Sequence, residues 1–307
     1  MNDTLMVIGE ALIDFIPTEQ GMALKDVCSF TKHCGGAPIN IAAATAKLGA
    51  HSKVLTQVGA DAFGDFILET LSLCQVDITA VKRTKQYPTA LAFVALDEKG
   101  NRDFTFYRDP CADLHLSAED ITATMFQDCG ILHFCSVDLV DSPMKQAHLK
   151  AIQLAKEQGA IISFDPNVRL PLWSSKEDCK NTILEFAPYA DILKISDDEL
   201  FFLTGQKDCE QVFTVFPDAT IILLTCGEQG SYLMTKEHRL YEKPIPVKAI
   251  DTTGAGDAFA AAFLYQLLRD GISREQLPHL SKDILQVYLR FSNAYAADST
   301  TKYGAVH

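Results

Sequence analysis

The sequence predicts an α/β protein: a doubly wound, mostly parallel sheet flanked by helices, with a small β lid beside it. Three observations carry this expectation. Short β-rich runs alternate with helical patterns along most of the 307 residues. A composition of 48% hydrophobic and 22% charged residues suits a globular chain with a substantial core. Two stretches break the alternation with patterns that are not helical.

Taken in order, Leu5-Met6-Val7-Ile8 opens as a strand, and residues 14–34 then lack helical periodicity. Pro38 to Leu48 reads as a helix, Lys53 to Val58 as a strand, and Ala62 to Cys74 as a helix with apolar residues at helical spacing. Thr89 to Leu96 and Arg102 to Arg108 are strand-like, and the turn-rich Asp97-Glu98-Lys99-Gly100-Asn101 between them reads as a hairpin connection. Strands are then expected at Gly130 to Phe134, Ala160 to Phe164, Ile192 to Ile195 and Thr220 to Thr225, with helices at Met144 to Glu157 and Lys176 to Phe186. We expect residues 1–13, 35–87 and 113–307 to form the main domain and residues 14–34 and 88–112 the lid. Such a lid belongs over the carboxyl ends of the strands, where open α/β sheets bind ligands. A surface hairpin without a role is the competing reading.

The net charge of −13, from 27 Lys and Arg against 40 Asp and Glu, opposes nucleic acid and anionic membrane surfaces. An anionic substrate therefore needs a local positive device. The N-terminus lacks the basic region of a secretory signal, and no apolar run approaches a bilayer span, so a cytoplasmic location is expected. Nine cysteines, spread out and without a Cys-x-x-Cys pair, read as free thiols rather than a disulfide framework or a metal site. The histidines show no metal-ligand spacing, which speaks against a metallohydrolase. No Gly-x-Gly-x-x-Gly follows the first strand, which speaks against a dinucleotide-dependent oxidoreductase.

The most informative segment is Asp251-Thr252-Thr253-Gly254-Ala255-Gly256-Asp257, followed at once by the apolar run Ala258 to Leu264. A glycine-bearing turn opening a helix offers unpaired N–H groups and a favourable dipole, a natural seat for phosphate. Asp257 sits in the first turn of that helix. As an ordinary helix-start carboxylate it would need no function.

Two segments together resemble the signatures of the ribokinase-like (PfkB) carbohydrate kinases. One is Gly35-Gly36-Ala37-Pro38-Ile39-Asn40 with the helix to Gly49, and the other is residues 251–257. Gly9 to Phe15, Phe106-Tyr107-Arg108 with Ala112-Asp113-Leu114, Phe164 to Arg169 and Lys194 to Leu200 are similar to segments of fructokinases within that family. Kinases for 2-keto-3-deoxygluconate, ribose and ribosides share much of this pattern and stay open as alternatives. A non-catalytic sugar-binding regulator on the same scaffold is a further one.

The resemblance implies transfer of the γ-phosphoryl of ATP to a hydroxymethyl group, most specifically of fructose. It makes Asp257 the base and the N–H groups of Gly254, Ala255 and Gly256 the anion hole, in place of the P-loop this chain lacks. It assigns sugar contacts to Asp14, Gly35, Gly36, Asn40, Arg108, Asp165 and Arg169; of Asp165, Asn167 and Arg169, which leave a strand's carboxyl end together, Arg169 is the one expected to touch phosphate. It assigns nucleotide contacts to Asn167, Lys194, Thr225, Gly227, Gly230, Gly256 and Asn293, with adenine between Asn293 and Ala297. Glu199 would hold Mg²⁺ through water, although Ser196 and Glu199 also form a capping-box pattern. Asp251 and Thr253 would contribute to a K⁺ site whose usual later residues lie beyond the last residue of this sequence. A homodimer paired through the lid is also implied.

Overall fold

The computed structural model describes residues 2–19, 21–96, 102–206, 212–302 and 304. The expected hairpin turn at 97–101 lies outside them. The first strand, β1 (Thr4–Ile8), takes β4 (His51–Gly59) on one side and β8 (Cys129–Cys135) on the other, both parallel. Beyond β4 lies β5 (Val81–Thr84); beyond β8 follow β9 (Ile161–Asp165), β10 (Ile192–Ser196) and β11 (Ile221–Thr225), all parallel. Two strands the sequence reading did not single out, β12 (Ser231–Met234) and β13 (Arg239–Glu242), close that edge antiparallel, giving nine strands in one sheet.

Strand alternation explains the two-sided core. Leu5 and Val7 point into one cluster with α1 (Ala37–Lys47), α2 (Ala62–Leu73), α7 (Ala255–Arg269) and α8 (Lys282–Ser299). Met6 and Ile8 point into the other, with α3 (Pro143–Glu157), α4 (Lys176–Phe186), α5 (Asp197–Thr204) and the short α6 (Val212–Val215). Strands covered on both faces read as continuous apolar runs, as Ile221-Ile222-Leu223-Leu224 does.

A separate four-stranded sheet has the order β3-β2-β6-β7: β2 (Leu12–Pro17), β3 (Phe30–Gly35), β6 (Ala90–Leu96) and β7 (Arg102–Tyr107). The two stretches that broke the alternation thus join in one sheet, through parallel pairing of β2 with β6. Its strand β2 begins at Leu12, so Asp14 lies inside a lid strand opposite His33 and Ala92. Phe15, of the other parity, stacks on Phe93 at 4.8 Å and meets Phe63 of α2 edge-on at 5.7 Å. Leu12 and Asp14 line the cleft between the lid and the main sheet.

The start of α2 is pinned to the approach to β6. Asp61 caps α2 by accepting from the N–H groups of Phe63 and Gly64, and it also accepts from Thr89 N and Oγ1. The eight cysteines of the described residues are free thiols. Among those residues, no helix is long and apolar enough to cross a membrane.

Candidate active site

The strand order reverses at β1, because β4 and β5 lie to one side and β8 to β11 to the other. The crevice at the carboxyl ends of β1 and β8 is the switch point where such sheets bind ligands. One cleft opens there. Its lid side is lined by Glu10, Leu12, Asp14, Gly36, Phe106 and Val137, and its far side by Arg169, Lys194, Ser196, Glu199 and residues 252–256. Asn40 and Asp257 join the two.

Gly36 has φ 113°, conformational space closed to most side chains, and begins α1 with its backbone against Glu10. Pro38 in the first turn suits the helix start. Asn40, one turn in, donates from Nδ2 to Asp257 Oδ2 at 2.7 Å, across 217 residues of sequence. Gly254 caps α7 in the left-handed region at φ 71°, which aims the turn's N–H groups and Asp257 into the cleft. Of the three N–H groups expected in the anion hole, that of Ala255 turns back on Thr252 O at 3.3 Å. A Cβ at Gly256 would lie 3.0 Å from Lys194 Nζ, so glycine there lets the ammonium reach the turn.

Burial pushes the Asp257 carboxyl above its ordinary range, against the bond from Asn40 and the charges of Lys194 and Arg169, which pull it down. Lys194 is itself buried. Burial alone would lower its pKa, but Asp165 at 2.9 Å together with Glu199 holds it above the usual lysine value. Burial in turn raises Asp165 to about 6 despite Lys194. Glu199 is held below its ordinary range: Lys194 and the N–H groups of Ser196 (2.8 Å) and Val168 (2.9 Å) outweigh its burial. The expected capping box is present, since Ser196 Oγ accepts from Glu199 N at 3.2 Å. Asn167, at the rare φ of 42°, and Arg169 reach the cleft from the end of β9.

Several expected contacts lie elsewhere. Arg108, read as a sugar ligand at the end of the lid hairpin, is only 6% exposed, and its Nη2 donates to Asp113 at 2.6 Å and Asp138 at 2.5 Å. A guanidinium taken out of water needs such partners, and they hold it beneath the cleft. Asp165 is fully buried and serves Lys194 instead of lining the cleft. Gly35 lies against the Asp14 carboxylate without lining the cleft, while its neighbour Gly36 does line it. Asp251 accepts from Thr253 N (2.9 Å), Thr253 Oγ1 (2.5 Å) and Gly304 N (2.9 Å); of the pair only Thr253 lines the cleft.

The remaining group gathers outside the cleft, at β11, β12 and α8. Thr225 ends β11, and Gly227 and Gly230 lie in the turn to β12. Asn293 donates to Lys243 O at 2.7 Å and accepts from Ser231 Oγ at 3.3 Å. Glu10, Leu12, Phe106, Val137 and Leu172 line the cleft without having been singled out as site residues. For Glu10 a signal was present: a lone carboxylate among apolar residues just after the first strand.

Hydroxyl-binding groups under a lid, facing a glycine turn with cations beside it, suit transfer of a phosphoryl group to an alcohol. Together with the sheet order, this defines a sugar kinase of ribokinase-like fold. The chain belongs to the pfkB family of carbohydrate kinases, whose family model matches residues 2–307. It is 40% identical to a probable fructokinase-2 of Arabidopsis thaliana, over 97% of this chain and 90% of the relative. A fructokinase from Xylella fastidiosa with bound ATP superposes with a TM-score of 0.91 at 32% identity, covering 99% of this chain and 94% of that one. A double-mutant fructokinase from Vibrio cholerae, solved with fructose, ADP and potassium ion, gives 0.86 at 32% identity over 99% of this chain and 94% of that one.

Proposed function

We propose that this chain is a fructokinase, transferring the γ-phosphoryl of ATP to the hydroxymethyl group of fructose to give fructose 6-phosphate. The observation that carries this reading is the buried Asp257, tied by Asn40 to the lid side of the cleft and flanked by the glycine turn and Lys194. Asp257 takes the proton of the attacking hydroxyl. In a loose transition state that proton leaves late, so position counts for more than basicity. The N–H groups of Gly254 and Gly256 receive the transferring phosphoryl, and Lys194 and Arg169 offset its charge. Asp14, Gly36 and Asn40 hold the sugar, a carboxylate being able to accept from two adjacent hydroxyls. A 2-keto-3-deoxygluconate carboxylate would meet the Asp14 carboxylate on the lid side while Arg108 is paired with Asp113 and Asp138, which favours the uncharged sugar.

The nucleotide extends past Lys194 and Asn167 toward Thr225, Gly227, Gly230 and Asn293, with adenine near Asn293 and Ala297 of α8. Glu199 fits a water-mediated Mg²⁺, because it lines the cleft and stays ionised; bound there, the ion would offset phosphate charge. K⁺ beside Asp251 and Thr253 fits less well, because that carboxylate already accepts three hydrogen bonds. Comparing turnover in K⁺ and Na⁺ tests it. The lid edge, with Tyr107 63% exposed, would pair two subunits, and the cytoplasm is the expected setting. The test of the main reading is ADP release across a panel of fructose, ribose, 2-keto-3-deoxygluconate and ribosides, with the product identified by phosphorus NMR. Fructose phosphorylated at C6 is expected, and activity on another sugar alone overturns the assignment.

A further inference from the structure

We propose that Glu10 is a further sugar-binding residue, which donates a hydrogen bond from Oε2 to a hydroxyl of the uncharged acceptor. Glu10 lies two residues past β1, at the switch-point crevice, and lines the cleft although it is only 3% exposed. Its Oε1 accepts from Ala37 N at 2.8 Å, which fixes the carboxyl against the start of α1. Oε2 is buried and has no partner in the protein. An oxygen in that position is costly unless something else meets it.

What lies beneath decides whether Oε2 accepts or donates. The carboxylates of Asp113 and Asp138 share Nη2 of Arg108, so one guanidinium already serves two acids. An ionised Glu10 would be a third negative charge, set in the same buried group as the thiols of Cys111 and of Cys135 on β8. The start of α1 favours an anion. Burial and the charge of Asp138 oppose it more strongly than Arg108 helps, and they raise Glu10 to about 8, with Asp138 raised to about 7 by burial. A proton on Glu10 at neutral pH relieves the crowding and makes Oε2 a donor. Asp14, which lines the same cleft, is an acceptor. A polyol hydroxyl, which can accept as well as donate, then meets Oε2.

This inference rests on fructose being the acceptor, and the test separates the two claims. The KM for fructose is measured at saturating ATP across about pH 6 to 10 for the wild type, Glu10→Gln and Glu10→Leu. In the wild type it is expected to rise about 10-fold as Glu10 ionises, the worth of one hydrogen bond, while the KM for ATP stays level. Glu10→Gln, which keeps an N–H donor, should lose that alkaline rise and stay below Glu10→Leu at every pH. A wild-type KM for fructose that is level throughout, or Glu10→Gln that matches Glu10→Leu, overturns the proposal. If Glu10→Leu fails to fold, the wild type and Glu10→Gln profiles still decide. Absence of any fructose phosphorylation by the wild type would instead sink the fructokinase reading.

Discussion

The two sides of the cleft are built from opposite chemistry. On the lid side, the titratable lining residues are Glu10, proposed to carry a proton, and the acid Asp14, and the nearby Arg108 is paired with two aspartates. On the turn side Lys194 and Arg169 face the start of α7, with the Glu199 carboxylate on the same side. The chain carries a net charge of −13, yet Lys194 and Arg169 both line the cleft beside the glycine turn proposed to seat phosphate. The difference teaches how the proposed anion seat and the proposed sugar seat can be divided between two walls, with the Asn40–Asp257 bond as the joint.

Breaking the joint should have the largest effect. Asp257→Asn is expected to lower kcat about 10²- to 10⁴-fold while the KM values for sugar and ATP change a few-fold, read by ADP release. Because burial raises the Asp257 carboxyl, its base form is lost as pH falls through that raised value. The acid limb of kcat should therefore lie above the ordinary aspartate range, which a pH–rate profile checks. On the turn side, Lys194→Met removes a cation aimed at the phosphoryl and should cost about 10²- to 10³-fold in kcat. On the lid side, Arg108→Met should act on stability before activity. It strands two buried carboxylates, and urea unfolding should register a loss of about 3–5 kcal/mol. Asp61→Ala touches neither wall; losing the α2 cap should cost about 1–2 kcal/mol and leave kcat as it was.

The sequence was legible where local pattern decides the outcome. Helix α4 spans the residues its periodicity marks, and both lid pieces were visible as breaks in the alternation. The turn of residues 254–257 was visible because glycine, helix start and carboxylate are neighbours in the chain. Arg108 was misplaced for the opposite reason. A strand-end arginine looks exposed until Asp138, thirty residues on, is seen to share its guanidinium. Asp251 shows the same limit, since Gly304 completes its bonds from 53 residues away. The edge strands β12 and β13 are four residues each, too short for alternation to distinguish them from loop. Glu10 stood in plain view after β1, but nothing local marks a carboxyl as a donor. That property belongs to the acids packed beneath it.

The division of labour between the two walls is tested most directly by the ratio of kcat/KM for fructose to that for 2-keto-3-deoxygluconate in the wild type at neutral pH. The Asp14 carboxylate on the lid wall, with Arg108 paired to Asp113 and Asp138, predicts a ratio of at least about 10² in favour of fructose, the scale of a binding site that leaves a substrate charge unpaired. A ratio near one, or one favouring the sugar acid, would contradict it.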